Sequence, residues 1–333
     1  MTTTIDSEPA VGSATDEPAA PVHATPTNEV RRQLAELLEP LWRAPVAALI
    51  VSAAFGAAWG GLAGWWTPRG PLTTFEAVSS ILISLVVGGL AGLASRSRWS
   101  MLLAPVAFAA VFELTRLDLT GPTVDGIELS GYGLLALGLG RGVHALLALV
   151  PMALGAALGA GAARSITPSD QPSGGRGGLI ARRTATGLVA ASLLLFSIAL
   201  LRPASTAAIR DADGEVIPGS VAELTRIDVN GHDLGLMIRG HDVDNPVLLV
   251  LAGGPGGSEY GAMRRHLPEL EEHVTVVTWD QRGSGTSYDE LDPTDTMTLQ
   301  GAVDDTIVVT EYLRDRFDTD RIHVLGQSWG TTL

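Results

Sequence analysis

The sequence predicts a two-part fold: an N-terminal α-helical transmembrane bundle, then a C-terminal α/β domain built on a mostly parallel sheet. Three observations carry this reading. Five apolar runs with few intervening charges fill residues 44–203. From Val221 onward, short apolar runs alternate with helical periods, the pattern of strands joined by crossover helices. The charge also changes at that boundary: 13 arginines offset 13 acidic residues over 1–203, whereas 204–333 hold 9 arginines against 23 acidic residues.

Bulk composition fits two or three structural units rather than one water-soluble domain, since the 333 residues are 46% hydrophobic. The formal net charge of −14 falls in the C-terminal part, which leaves no basic face for phosphates, so no nucleic acid is expected as a partner. No lysine occurs. No cysteine occurs either, which excludes disulfides, thiolate catalysis and cysteine-ligated zinc. The sequence calls for no cofactor and no metal.

Residues 1–28 are rich in Thr, Ala, Pro, Ser and acids and read as a disordered tail. They lack the basic start and apolar core of a signal peptide. Residues 29–43 read as an amphipathic juxtamembrane helix leading into the first span. The bundle, 44–203, has about five spans, 44–66, 77–94, 101–117, 143–163 and 184–201, set against the roughly 20 residues that cross a bilayer. The third is the weakest, with Glu113 and Arg116 near its end. The pairs Gly56/Gly60, Gly88/Gly92 and Gly155/Gly159 lie one turn apart, a spacing that lets helix backbones approach closely. No pair of charges is placed mid-membrane, so an ion pathway has no support, and Arg141 with His144 reads as a snorkelling interfacial pair. Ser165–Gly178 reads as a flexible loop. Arginines concentrate before the first span and in the second and fourth connections, which places the N-terminus in the cytoplasm. Five spans then put the C-terminal domain outside the cell membrane; losing the third would reverse that.

Residues 204–219 read as a linker and 220–333 as the α/β domain. Val221–Asp228 and Leu234–Arg239 are predicted strands joined at Asn230-Gly231, a strong hairpin signal. Val247–Leu251 and Val274–Trp279 are continuous apolar runs, as expected of strands buried on both faces. Residues 258–273 offer one modest helix, Thr298–Phe317 an amphipathic one, and Arg321–Leu325 the last strand.

Three loops follow the C-terminal ends of these strands, where open α/β sheets place their sites. The first is Ala252-Gly253-Gly254-Pro255-Gly256-Gly257. Its glycines let backbone N–H groups crowd against a ligand. A phosphate cradle, a plain tight turn and an oxyanion site are all open; the last fits best, with N–H groups from Gly254 and Trp329. The second runs from Asp280 to Ser287 and includes Arg282 and Gly283. Asp280 reads as a structural partner of Arg282 rather than a catalytic acid. The third, Gly326-Gln327-Ser328-Trp329-Gly330, is a G-x-S-x-G turn after a strand, the context in which a serine oxygen is lifted out of a sheet.

In this order, Gly-Gly-Pro-Gly, Trp-Asp-Gln-Arg-Gly-x-Gly-x-Ser and Gly-x-Ser-Trp-Gly, the motifs resemble the proline iminopeptidase branch of the α/β-hydrolases. The resemblance covers about residues 220–333 and leaves the bundle out. It implies an α/β-hydrolase fold with an incomplete parallel-type sheet, a serine aminopeptidase acting on short peptides or a related enzyme acting on small amides or esters, Ser328 as nucleophile, and Gly254 and Trp329 as oxyanion donors. The structural residues of the loops would be Gly253, Pro255, Gly256, Asp280, Arg282, Gly283, Gly326 and Gly330. One departure is Ala252, where the family usually has histidine. In that fold the triad acid and histidine follow the serine in chain order, so the sequence leads us to expect a fragment of a longer protein, inactive by itself. His232, His241, His266 and His273 have no motif context, and His323, within the strand before the elbow, is expected to pack against the sheet; none receives a role as base. A membrane transport or scaffold protein with a degenerate hydrolase domain is the competing reading.

Overall fold

The structure, a computed structural model, describes residues 26–67, 72–117, 129–166, 175–291 and 296–333. They fall into two compact units, one gathering the N-terminal helices and one the C-terminal sheet. The predicted tail, 1–28, lies almost wholly outside the described residues, as does most of the loop 165–178.

The first unit is built from α1 (Pro26–Trp42), α2 (Pro45–Trp66), most of α3 (Thr74–Ser95), α4 (Ser100–Leu114), the end of α5 (Gly131–His144), α6 (Val150–Ile166) and the first part of α7 (Arg176–Leu200). A π turn at Ala145–Leu149 carries α5 into α6. By length and composition four helical stretches among the described residues can cross a membrane: Pro45–Trp66, Thr74–Ser95, Gly131–Ile166 and Gly177–Leu200. The predicted third run forms a shorter apolar helix, α4, of 15 residues, about 22 Å at 1.5 Å per residue. The predicted fourth run starts earlier than expected, because Gly131–His144, interrupted by Arg141 and His144 but otherwise mostly apolar, joins the helix.

Glycines set the packing. A methyl group built on Gly56 or Gly60 of α2 would lie 2.1 or 2.5 Å from the carbonyl oxygens of Ala104 or Phe108 on α4. Between α3 and α6 the contact is mutual: Gly88 and Gly92 meet the Met152 and Ala156 carbonyls, and Gly155 and Gly159 meet those of Leu85 and Gly89. Only a residue without a side chain permits such backbone approach. Trp59 and Phe108 pack into the seam, and the Trp59 indole donates to Ser84 Oγ at 2.9 Å. Arg141 departs from expectation: it is paired with Glu113 of α4 at 2.6 Å. The pairing joins two helices, which sequence spacing alone does not show.

The second unit is a five-stranded mixed sheet in the order β1-β2-β4-β3-β5. β1 (Val221–Val229) and β2 (His232–Gly240) form an antiparallel hairpin, closed by Asn230 and Gly231 at positive φ of 54° and 84°, as a tight two-residue hairpin turn requires. β2 runs antiparallel to β4 (Thr275–Trp279). β3 (Val247–Leu251) lies parallel to both β4 and β5 (His323–Gly326). β3 and β4 are buried on both faces, which is why they read as continuous apolar runs. On one face Leu249 and Val277 pack with Val309 and Leu313 of α9 (Leu299–Arg316); on the other, Val250 and Val276 pack with Met263 of α8 (Tyr260–His266). The predicted linker is ordered against this unit. Ile209 is buried, Arg210 bridges Val216, and Arg239 donates to Thr206 Oγ1 and the Ala207 carbonyl while paired with Glu271.

Candidate active site

Ser328 stands two residues past the end of β5, in the first turn of a short 3-10 helix, Ser328–Thr332. It is exposed and holds φ at +48°, a left-handed conformation that a non-glycine residue adopts at a cost of order 1–3 kcal/mol and that clusters at active sites. Both glycines of the motif are demanded by space. A methyl group on Gly326 would lie 2.4 Å from the Gly330 carbonyl oxygen, and one on Gly330 would lie 2.2 Å from that of Leu251 on β3. The Gln327 N–H donates to the same Leu251 carbonyl at 3.1 Å, and the Gly330 N–H closes the turn on Gln327 O at 2.8 Å. The bend is thus pinned to the neighbouring strand, and the hydroxyl is left in the open.

The loop after β3 lies against it. A methyl group on Gly253 would sit 3.6 Å from Ser328 Cβ. Gly254 and Gly256 hold φ at +137° and +85°, which other residues rarely adopt, and Gly257 N–H donates to Gly253 O at 3.1 Å. Trp329 lies in the first turn of its helix, where leading N–H groups have no partner within the helix. Its indole N–H donates to Gln281 Oε1 at 3.1 Å.

The Asp280–Ser287 loop is organised differently from the sequence reading. Arg282 does not pair with Asp280. It makes two bonds to Asp305 of α9, at 2.6 and 2.5 Å, and Asn230 of the hairpin turn donates to the same carboxylate at 2.8 Å. Asp280, fully buried, instead accepts from the Thr286 N–H and hydroxyl at 2.7 and 2.9 Å. The reason is geometric: Gly285 at φ +45° folds the loop so tightly that a methyl group there would lie 2.2 Å from Asp280 Oδ2. Gly283, at φ +73°, packs under Leu291. Tyr260 brings its hydroxyl within 3.5 Å of Thr286 Oγ1, and burial pushes the phenol above the ordinary tyrosine range.

The structure therefore gathers Ser328, Trp329, Gly253, Gly326 and Gly330 at one strand end, with Pro255 and Gly256 close to Trp329 around one cavity. Sequence reasoning missed Asp305, Asn230 and Gln281. Asp305 had a readable signal: it lies four residues before Val309 and eight before Leu313, an acid on the apolar stripe of an amphipathic helix. Among the described residues no hydrogen bond joins Ser328 to a histidine. His232 is bonded to Glu290 at 2.9 Å, and His323, expected to pack against the sheet, is instead exposed because β5 lies at the end of the strand order.

The fold and the elbow define a class: residues 246–333 match the family described as alpha/beta hydrolase fold, and the C-terminal part has that fold. It is related to peptidases within it. The chain is 42% identical over 114 residues to the probable aminopeptidase YbaC of Bacillus subtilis (strain 168), covering 34% of this chain and 36% of that protein. It is 40% identical over 95 residues to the proline iminopeptidase of Xanthomonas citri, covering 28% of each. A solved proline iminopeptidase-related protein from Thermus thermophilus aligns at 33% identity over 33% of this chain and 37% of that one, with a TM-score of 0.29. The chain spans about a third of the length of the curated relatives it matches.

Proposed function

We propose that this protein is a membrane-anchored serine hydrolase of the aminopeptidase type, acting on short peptides, with Ser328 as nucleophile. The observation that carries the reading is the exposed, left-handed Ser328 at the end of a parallel strand, pinned by Gly326 and Gly330 and flanked by the Gly253–Gly254 loop. In this reading the Ser328 hydroxyl oxygen attacks the substrate carbonyl carbon. The carbonyl π electrons move onto oxygen, and the N–H groups of Gly254 and Trp329 hold the resulting oxyanion. The oxyanion then collapses, the C–N bond breaks and the amine leaves with the proton taken from Ser328, giving an acyl-enzyme that water hydrolyses. The proton leaving Ser328 needs a base within hydrogen-bond reach. Among the described residues no histidine is hydrogen-bonded to Ser328; in this fold the triad histidine follows the serine in chain order.

The peptidase names of the relatives favour peptides over the esters and amides that related enzymes cleave. The four long apolar helices supply the lipid-bilayer anchor, and the arginine bias argues for a cytoplasmic N-terminus with the hydrolase domain outside. The competing reading is a degenerate hydrolase domain on a transport or scaffold protein, to which the long apolar helices are equally suited. A fluorophosphonate probe, applied to the protein in its native membranes, separates the two. Labelling at Ser328 that disappears in Ser328→Ala is expected; absence of labelling there would leave the second reading standing.

A further inference from the structure

Four arginines from three stretches of chain converge at one end of the helical unit. Arg96 and Arg98 lie in the short connection between α3 and α4, Arg164 in the last turn of α6, and Arg182 near the start of α7. The Arg164 guanidinium donates to the Arg96 carbonyl at 3.1 Å. The charges of Arg96, Arg98 and Arg182 all lie close enough to Arg164 to repel it. Arg98, Arg164 and Arg182 are exposed, and among the described residues none of the three is in an ion pair. The described carboxylates of α1 are already taken, Glu29 and Glu36 by Arg32 and Glu39 by Arg43. Arg141 of α5 is treated differently, since Glu113 neutralises it.

The connection that carries two of these charges is held in shape. Arg96 keeps φ at +54°, a left-handed conformation that favours glycine. The Ser97 N–H donates to Ser95 Oγ at 3.3 Å, and the Ser100 hydroxyl to Ser97 O at 2.7 Å. The Arg96 guanidinium lies 5.4 Å from the centre of the Trp42 ring, whose N–H donates to the Leu93 carbonyl at 3.0 Å. Next to Arg98, Trp99 is 68% exposed, and Met101 and Leu102 of α4 are exposed after it. Tryptophan beside arginine at the end of an apolar helix is the pattern of a membrane–water boundary. Like charges gathered without counter-ions repel, so the cluster favours an anion. Guanidinium groups pair with phosphate oxygens through two parallel N–H bonds, and arginines at such helix ends attract anionic lipids. We propose that this end of the helical unit is a binding site for an anionic phospholipid. The phosphate lies among Arg98, Arg164 and Arg182, and an acyl chain runs along the Met101–Leu102 face of α4. A free phosphate would use the arginines alone, whereas the exposed apolar flank beside them fits a lipid. The site does not depend on Ser328; it rests on the proposed embedding of the helices in a bilayer.

The test titrates the full chain, purified in detergent, with phosphatidylglycerol or phosphatidylcholine of the same acyl chains and reads binding by native mass spectrometry. Phosphatidylglycerol is expected to bind at least tenfold more tightly than phosphatidylcholine, whose phosphate is offset by its own ammonium. The triple variant Arg98→Gln, Arg164→Gln, Arg182→Gln should weaken phosphatidylglycerol at least tenfold. Arg264→Gln, Arg265→Gln, Arg314→Gln removes the same charge from exposed positions of the second unit and should change it less than twofold. Equal binding of the two lipids, or an equal loss in both triple variants, overturns the proposal. So does displacement of the lipid by millimolar inorganic phosphate, which would make the site one for the free anion. Displacement by a peptide of residues 1–25, which hold four acids and no arginine, would instead make it a seat for the chain's own tail. Should the first triple variant fail to fold, Arg98→Gln with Arg182→Gln, which spares the Arg164 bond to Arg96, is held to the same tenfold criterion. Carbonate washing of native membranes tests the embedding separately. Protein released without detergent sinks the membrane reading, and retained protein that ignores headgroup charge sinks the lipid site alone.

Discussion

Ser328 owes its exposure to two neighbours that have no side chains. Gly326 and Gly330 bring the turn so close to β3 that the bend is fixed by contact with the Leu251 carbonyl. Gly330→Ala is therefore expected to lower stability by about 1–3 kcal/mol through overpacking, read as a lower urea midpoint, and to slow fluorophosphonate labelling of Ser328. The Arg282–Asp305 pair acts on the adjoining loop, with side chains 13% and 3% exposed. Removing one partner, as in Arg282→Met, leaves a buried charge and is expected to cost roughly 3–5 kcal/mol. The double variant Arg282→Met with Asp305→Leu should recover most of that loss in the same denaturation experiment. A double variant no more stable than the single one would mean that the pair is not what holds the loop.

At the scale of elements, helix contacts run through glycines and the sheet ends in an exposed strand. Gly88 and Gly155 lie at a mutual backbone contact between α3 and α6, whereas nothing lies within 4 Å of a methyl group built on Gly161 of α6. Gly155→Leu should drive α3 and α6 apart and lower the thermal midpoint of the protein in detergent. Gly161→Ala should leave it unchanged or raise it, since alanine is better than glycine inside a helix by about 1 kcal/mol. β5 lies at the end of the strand order, and Val324 and Leu325 are 54% and 47% exposed. An apolar edge of this kind invites pairing between chains. Val324→Lys is expected to reduce aggregation of the 333-residue chain, followed by light scattering at fixed concentration; unchanged scattering would clear β5 of that role.

For the whole molecule, the proposed membrane anchoring leaves open which side of the bilayer bears the α/β domain. Four helical stretches are long enough to cross and α4 is shorter, so the orientation turns on whether α4 counts as a span. The absence of cysteine makes the experiment direct, because one introduced thiol is unique. Glu272→Cys, at an exposed position of the second unit, should react with a membrane-impermeant maleimide on intact cells, whereas Thr3→Cys should react only after permeabilisation. The reverse pattern would place the domain in the cytoplasm and remove α4 from the set of spans.

The elements and the elbow were legible in the chain before any contact was known. Strand and helix periods, the Asn230-Gly231 turn and the three glycine-bearing loops are local signals, and local sterics fix what each becomes. Gly56, Gly88 and Gly155 were likewise marked as close-approach positions, since spacing one turn apart needs no knowledge of the partner helix. The choice of partners, by contrast, was made by the folded state. Arg282 took Asp305 instead of Asp280, and Arg141 took Glu113 of another helix, because ion pairing depends on distance in space rather than along the chain. The same holds for the cavity beside the elbow, which exists only because the end of β4, the first turns of α9 and Trp329 come together in space.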